Sequence, residues 1–171
     1  MAEYETFREE FLENLCFRMD ESLRMVKIAT EAITEEQLWQ KPNPSLNSIA
    51  NLILHLCGNM KQYGIDSLQG IEDDRDRDWE FSVVGGFSKQ ELLQKLSDTV
   101  AHVKESFYLV SSQRLVEKKW VQGFEFSGIG NAIHVVEHFS YHTGQIAYWV
   151  KFLFDKQLGF YKGHDLNIKN E

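Results

Sequence analysis

Residues 134–146, HVVEHFSYHTGQI, carry three of the six histidines of a 171-residue chain. They are His134, His138 and His142, spaced by four. No proline interrupts the surrounding residues, and apolar side chains recur at threes and fours, so the spacing predicts a helix over about 129–155. On a helix, residues four apart share a face. The outer two imidazoles then stand about 12 Å apart along the axis. Zinc–imidazole bonds are ~2.0–2.1 Å, so one ion cannot take all three. A metal on this helix uses a neighbouring pair or none.

Working outward, three more helices of similar length are predicted. Phe7, Phe11, Leu12, Leu15, Met19, Leu23 and Val26 mark one over about 5–32. Thr34 and Gln37 form a capping box for a short turn before Pro42 and Pro44. Asn47 or Ser48 caps a second long helix over about 48–69, with Leu52, Leu56, Met60 and Tyr63 as its stripe. Ser88 and Glu91 cap a third over about 89–112, striped by Leu92, Leu96, Val100, Val103, Phe107 and Val110. Four amphipathic helices predict an all-α four-helix bundle, with ligand sites built from facing helices. The chain is read as one domain over 1–171, with no strand pair expected. Residues 112–128 are a connection, at most with a short extended piece.

The longest interruption, 70–86, reads as a solvated acidic loop. Asp74, Asp76 and Asp78 alternate as in a calcium loop, but the positions needing Gly and Glu hold Trp79 and Gly85. His102 has no partner at helical spacing and reads as a surface or boundary residue, and His164 lies next to Gly163 in a tail.

The composition, 43% apolar with 12 Phe, suits a packed core. A formal charge of −8 disfavours nucleic acid as a partner. Cys16 and Cys57 form no paired motif and read as buried hydrophobes in a reducing compartment. The start, MAEYETFREE, has no apolar signal region. The late run IAYWVKFLF is far short of the roughly 20 residues that span a bilayer. A cytoplasmic protein without a membrane partner is expected.

Two pairings of the ladder carry chemistry. His134 and His138 with Glu137 match H-x-x-E-H, the pattern of a small zinc peptidase with Glu137 as general base. His138 and His142 instead need a ligand from another helix, and His55 is the candidate. It interrupts the apolar run ANLILHLCG, where an unpaired imidazole is unfavourable. Hydrogen-bonded core histidines are the plain alternative.

The stretch ITEEQLWQKPNPSLNSIANLILHL, followed far downstream by HVVEHFSYHTGQIAY, resembles the DinB-like (DinB/YfiT) superfamily of metal-binding four-helix bundles. The resemblance covers nearly the whole chain: Asn-Ser before the second helix, a histidine seven residues on, and H-x-x-x-H-x-G-Q in the last helix. It implies an up-down-down-up bundle and a divalent metal, zinc or nickel, on His55, His138 and His142. Gly144 and Gln145 match the family's Gly-Gln pair. Many relatives carry arginine after the last histidine, where this chain has Thr143. His134 would be an extra rung, either supporting the ligands from behind or, the preferred reading, plain helix packing.

By that resemblance the chain is expected to be a metal-dependent enzyme, a thiol S-transferase or otherwise a hydrolase. A low-molecular-weight thiol such as bacillithiol or mycothiol would be the co-substrate, and the partner a small molecule. A three-imidazole ion with an open position lowers the pKa of a bound thiol or water. Asn59 and Gln145 are the candidates to orient substrate, and Tyr63 and Trp149 are read as packing. The alternatives are a non-catalytic, stress-related metal-binding or dimerisation bundle, with a homodimer as its assembly, and the zinc peptidase.

Overall fold

The computed structural model describes residues 2–169, with side chains from residue 5 on; residues 1, 170 and 171 of the expected single domain lie outside the described residues. Eight helices and one hairpin follow in order: α1 (Ala2–Glu31), α2 (Glu35–Trp39), α3 (Ile49–Met60), a π-helical segment (Lys61–Asp66), α4 (Ser67–Gln69), α5 (Arg77–Ser82), α6 (Lys89–Leu109), α7 (Ser112–Val116), β1 (Lys118–Val121), β2 (Phe124–Ser127) and α8 (Gly128–Phe154). Helices α1, α6 and α8 fall within a few residues of the predicted spans, and the helix predicted over 48–69 is α3 continued by the π-helical segment and α4.

The capping boxes do what their sequences imply. Thr34, Ser48 and Ser88 each accept from the backbone N–H three residues on, and Gln37, Asn51 and Glu91 answer by accepting from the cap. Ser48, rather than Asn47, is the cap of α3.

Contacts along the helices fix the topology. Arg8, early in α1, donates to the carbonyls of Tyr108 and Val110. Lys89, at the start of α6, donates to those of Thr30 and Ile33. So α1 and α6 are antiparallel. His55, Tyr63 and Ser67 meet His138, His134 and Asn131 in turn, so α3 and its extension run against α8. Cys57 lies by Thr99 and Gly64 by Val103, so α3 and α6 run together. The result is an up-down-down-up bundle.

The core runs the length of this bundle. Leu12, Met19, Leu38, Ile53, Leu56, Met60, Phe107 and Phe139 are fully buried, each contributing roughly 1.5–3 kcal/mol. Phe7, placed in the buried stripe by its spacing, is instead exposed and stacks on Phe11. Both cysteines are free and buried, and burial pushes the Cys57 thiol up to about 11. Among the described residues no helix is long and apolar enough to cross a membrane.

Two connections differ from expectation. The segment after α7 is an antiparallel hairpin, with Lys118 opposite Ser127 and Val121 opposite Phe124. Its two-residue turn is Gln122-Gly123, both at positive φ (50° and 82°). Such turns match the strand twist, but Asn or Asp usually fills the first position. With Gln there, the turn signal is weak. The second difference is 70–86, which is not simply solvated. Asp76 caps the short helix α5 by accepting from the Trp79 amide. Asn51 Nδ2 then donates to the carbonyls of Glu80 and Val83, tying α5 to α3.

Candidate metal centre

The site forms where α3 faces α8. Helical spacing puts His138 and His142 on one face of α8, and the antiparallel crossing sets His55 opposite. One nitrogen from each of the three imidazoles lies within 4.8 Å of the others. Nε2 of His55 and Nε2 of His138 are 2.9 Å apart. His55 and His142 are buried, and His138 is half-buried.

Outer contacts orient two of the rings. His55 Nδ1 stands 2.9 Å from Glu80 Oε2 and 3.0 Å from Arg75 Nη2. A carboxylate only accepts, so the tautomer that bonds Glu80 carries its proton on Nδ1 and turns the Nε2 lone pair toward His138. His142 Nδ1 stands 2.6 Å from Gln145 Oε1, which fixes its tautomer in the same way. Metal-ligating histidines regularly have such partners. Glu80 is held in turn by Arg75, whose Nε and Nη2 donate to its two oxygens at 2.7 and 2.8 Å. Arg75 Nη1 donates to Gln62 Oε1. Both members of this ion pair are almost fully buried, and no residue of it was expected from the sequence.

Room for the carboxylate comes from α3 itself. A Cβ at Gly58 would overlap Glu80 Oε1 and crowd Arg75 Nε.

Electrostatics favour neutral ligands. Burial, then the other imidazoles and Arg75, pushes His138 down to about 3. Burial pushes His142 down to about 4, although Gln145 opposes the shift. For Glu80, burial raises the pKa, but hydrogen bonds from Arg75 and His55 together outweigh it and hold the carboxyl low. Three imidazole nitrogens, with a carboxylate behind one of them, are a donor set that fits a divalent transition ion.

The other expected residues divide. His134 stays outside the cluster: its Nε2 accepts from Asn59 Nδ2 at 3.2 Å, and its ring lies 4.2 Å from that of Tyr63. Burial lowers its pKa. Asn59 is 3% exposed, and its Oδ1 has no partner. Tyr63 is buried and donates to Gln122 Oε1 on the hairpin turn. Gln145 acts on His142, and Trp149 is half-buried beside it in a cavity. Thr143 is buried with its Oγ1 unpaired.

Glu137 is exposed on another side of α8, in a groove shared with Leu15, Arg18 and Ser22 of α1. That position separates it from the pocket above the imidazoles. Asp74 pairs with Lys61, which also holds Asp66. The acidic loop therefore already has an ammonium at its centre. His102 is exposed, in line with its reading, and so is His164.

Two cavities reach His55 and His138. One of about 350 Å³ also borders Asn59, Tyr63 and the hairpin residues Phe124 and Phe126. The other, about 300 Å³, lies toward His142, Phe81 and Trp149.

The chain's relatives agree with this fold. A family model described as a protein of unknown function (DUF1572) matches residues 6–161. The chain belongs to this family. The DUF1572 fold is DinB-like. The structure is similar to a DinB-like protein from Bacillus cereus ATCC 10987, at a TM-score of 0.67 and 14% identity, covering 88% of this chain and 94% of that one. It is also similar to a conserved protein from Enterococcus faecalis, at a TM-score of 0.62 and 18% identity, covering 88% and 97%. At these identities the likeness speaks for the fold alone. No curated protein matches the chain. The resemblance read from the sequence thus holds for the fold of this DUF1572 chain.

Proposed function

We propose that this DUF1572 protein is a metal-dependent enzyme acting on a small molecule, most simply a thiol S-transferase. His55, His138 and His142 would hold a divalent ion, zinc or nickel. The observation that carries this reading is the convergence of three imidazole nitrogens beside a cavity, two of them oriented by Glu80 and Gln145. A bound ion would supply Lewis acidity, lowering the pKa of a thiol or water. The chain's own residues do the rest. Glu80 would hold the His55 proton on Nδ1, and Gln145 that of His142. Phe124, Phe126 and Tyr63 offer an apolar wall for a substrate body. Two cavities meeting at the same imidazoles suit a transfer between two molecules better than hydrolysis.

The test is elemental analysis of tag-free protein, followed by turnover of a thiol and electrophile panel with and without metal. About one ion per chain and metal-dependent thioether formation are expected. Protein that holds no ion after zinc and nickel are offered ends this reading.

A second reading is a non-catalytic bundle that pairs with its own copy. It is favoured by Tyr141, Tyr148 and Phe152, exposed on α8, the last two stacked at 5.8 Å. Sedimentation equilibrium together with absent turnover would support it. A monomer would remove it.

A further inference from the structure

Two features that border the cavity have no part in holding the three converging imidazoles. The first is Arg77, at the start of α5. It is exposed and borders both cavities that reach His55 and His138. Its guanidinium carbon lies 5.0 Å from the centre of the Phe81 ring, which is itself 4.6 Å from the His55 ring. No ion pair or hydrogen bond to another described residue occupies Arg77. Arg75, two residues earlier, is by contrast wholly engaged by Glu80 and Gln62. An uncommitted guanidinium over the site stands out in a chain of net charge −8. The second feature is Asn59. Its Nδ2 is engaged by His134, while its buried Oδ1 has no partner and the residue borders the same cavity. A buried carbonyl without a donor is unfavourable, and a bound molecule is the natural source of one.

We propose that Arg77 selects the substrate by binding a carboxylate on it, while Asn59 Oδ1 accepts a hydrogen bond from an N–H or O–H of the same molecule. The planar fork of arginine matches a carboxylate bidentately, and stacking on Phe81 limits its freedom before binding. The substrate class is then a small anionic molecule with a neighbouring amide, amine or hydroxyl, and under the function proposed above an anionic thiol. The inference rests on that reading only in taking this cavity as the substrate site.

The test uses two pairs of probes that differ in a carboxylate. N-acetylcysteine and N-acetylcysteamine carry a thiol; N-acetylalanine and N-ethylacetamide are their counterparts without one. Each is titrated calorimetrically into the full chain, zinc-loaded and metal-free. In both pairs the carboxylate member should bind about tenfold more tightly to the wild type. Arg77→Ala should bring the ratio to about one, and Arg77→Lys should restore part of it. Arg77 is exposed, so thermal melts should show both variants folded. Asn59→Ala should weaken both members of a pair alike and leave their ratio intact, because the donor is common to both. A wild-type ratio near one, a ratio that survives Arg77→Ala, or no binding at millimolar concentration overturns the proposal. The thiol-free pair in metal-free protein reads Arg77 without any ion. A failure of metal binding is therefore a separate result from a failure of carboxylate selection.

Discussion

The histidine ladder of α8 has two ends of different character. His138 and His142 face a third imidazole, with one nitrogen of each ring within 4.8 Å of the others, and Gln145 orients His142. His134, one turn earlier, faces Asn59 and Tyr63 and spends its Nε2 as a hydrogen-bond acceptor. All three come from one helix at one spacing. The difference lies in what α3 sets opposite each rung. A candidate ligand is thus defined by the facing helix as much as by its own.

The sharpest way to break this contrast is His138→Ala. It should abolish stoichiometric zinc uptake, measured by elemental analysis, whereas His134→Asn should keep it. Next is Glu80→Ala, which leaves Arg75 buried without its carboxylate. Losing one partner of such a pair costs about 3–5 kcal/mol. Chemical denaturation should show that loss, and metal affinity should fall about 10–100-fold as His55 loses its orienting contact. Glu80→Gln should fall between wild type and Glu80→Ala.

Acid should act on the ligand end. In metal-free protein His138 and His142 titrate folded at about 3 and about 4, but near 6.5 in the unfolded chain. Between those values the unfolded chain binds protons that the folded chain does not. Stability from keeping these rings neutral is therefore complete above about pH 6.5 and declines as pH falls toward 4. The melting temperature should drop across that window, and less steeply in a His138→Gln/His142→Gln variant. Smaller again is Gln145→Ala. It should weaken zinc binding toward the lower end of the outer-contact range, about tenfold, with little change in melting. Smallest is His134→Asn, for which a loss of about 1 kcal/mol by denaturation and unchanged metal stoichiometry are expected.

The bundle and the three imidazoles were legible because each rests on a local, periodic signal. Apolar spacing gave the long helices, and Thr34, Ser48 and Ser88 marked three starts. His55 stood out as an imidazole inside an apolar run. Arg75, Glu80 and Arg77 were not legible, since alternating Asp and Arg over 73–78 look like any solvated loop. Their roles depend on Asn51 drawing α5 onto α3, a contact across about thirty residues with no periodic trace. The buried Glu80 had one faint signal, its place between Trp79 and Phe81. The hairpin was missed because Gln122 is an uncommon first residue for its turn.

Gly58 joins these two kinds of information. Glycine within a helix is less favourable than alanine by about 1 kcal/mol, yet here it leaves the hollow that Glu80 fills. The docked loop and the oriented His55 are thus one thermodynamic unit. An ion that prefers the oriented ring must equally favour the docked loop, by linkage. Amide hydrogen exchange over 75–83 should slow when zinc is added, and Gly58→Ala should uncouple the two without altering a single ligand.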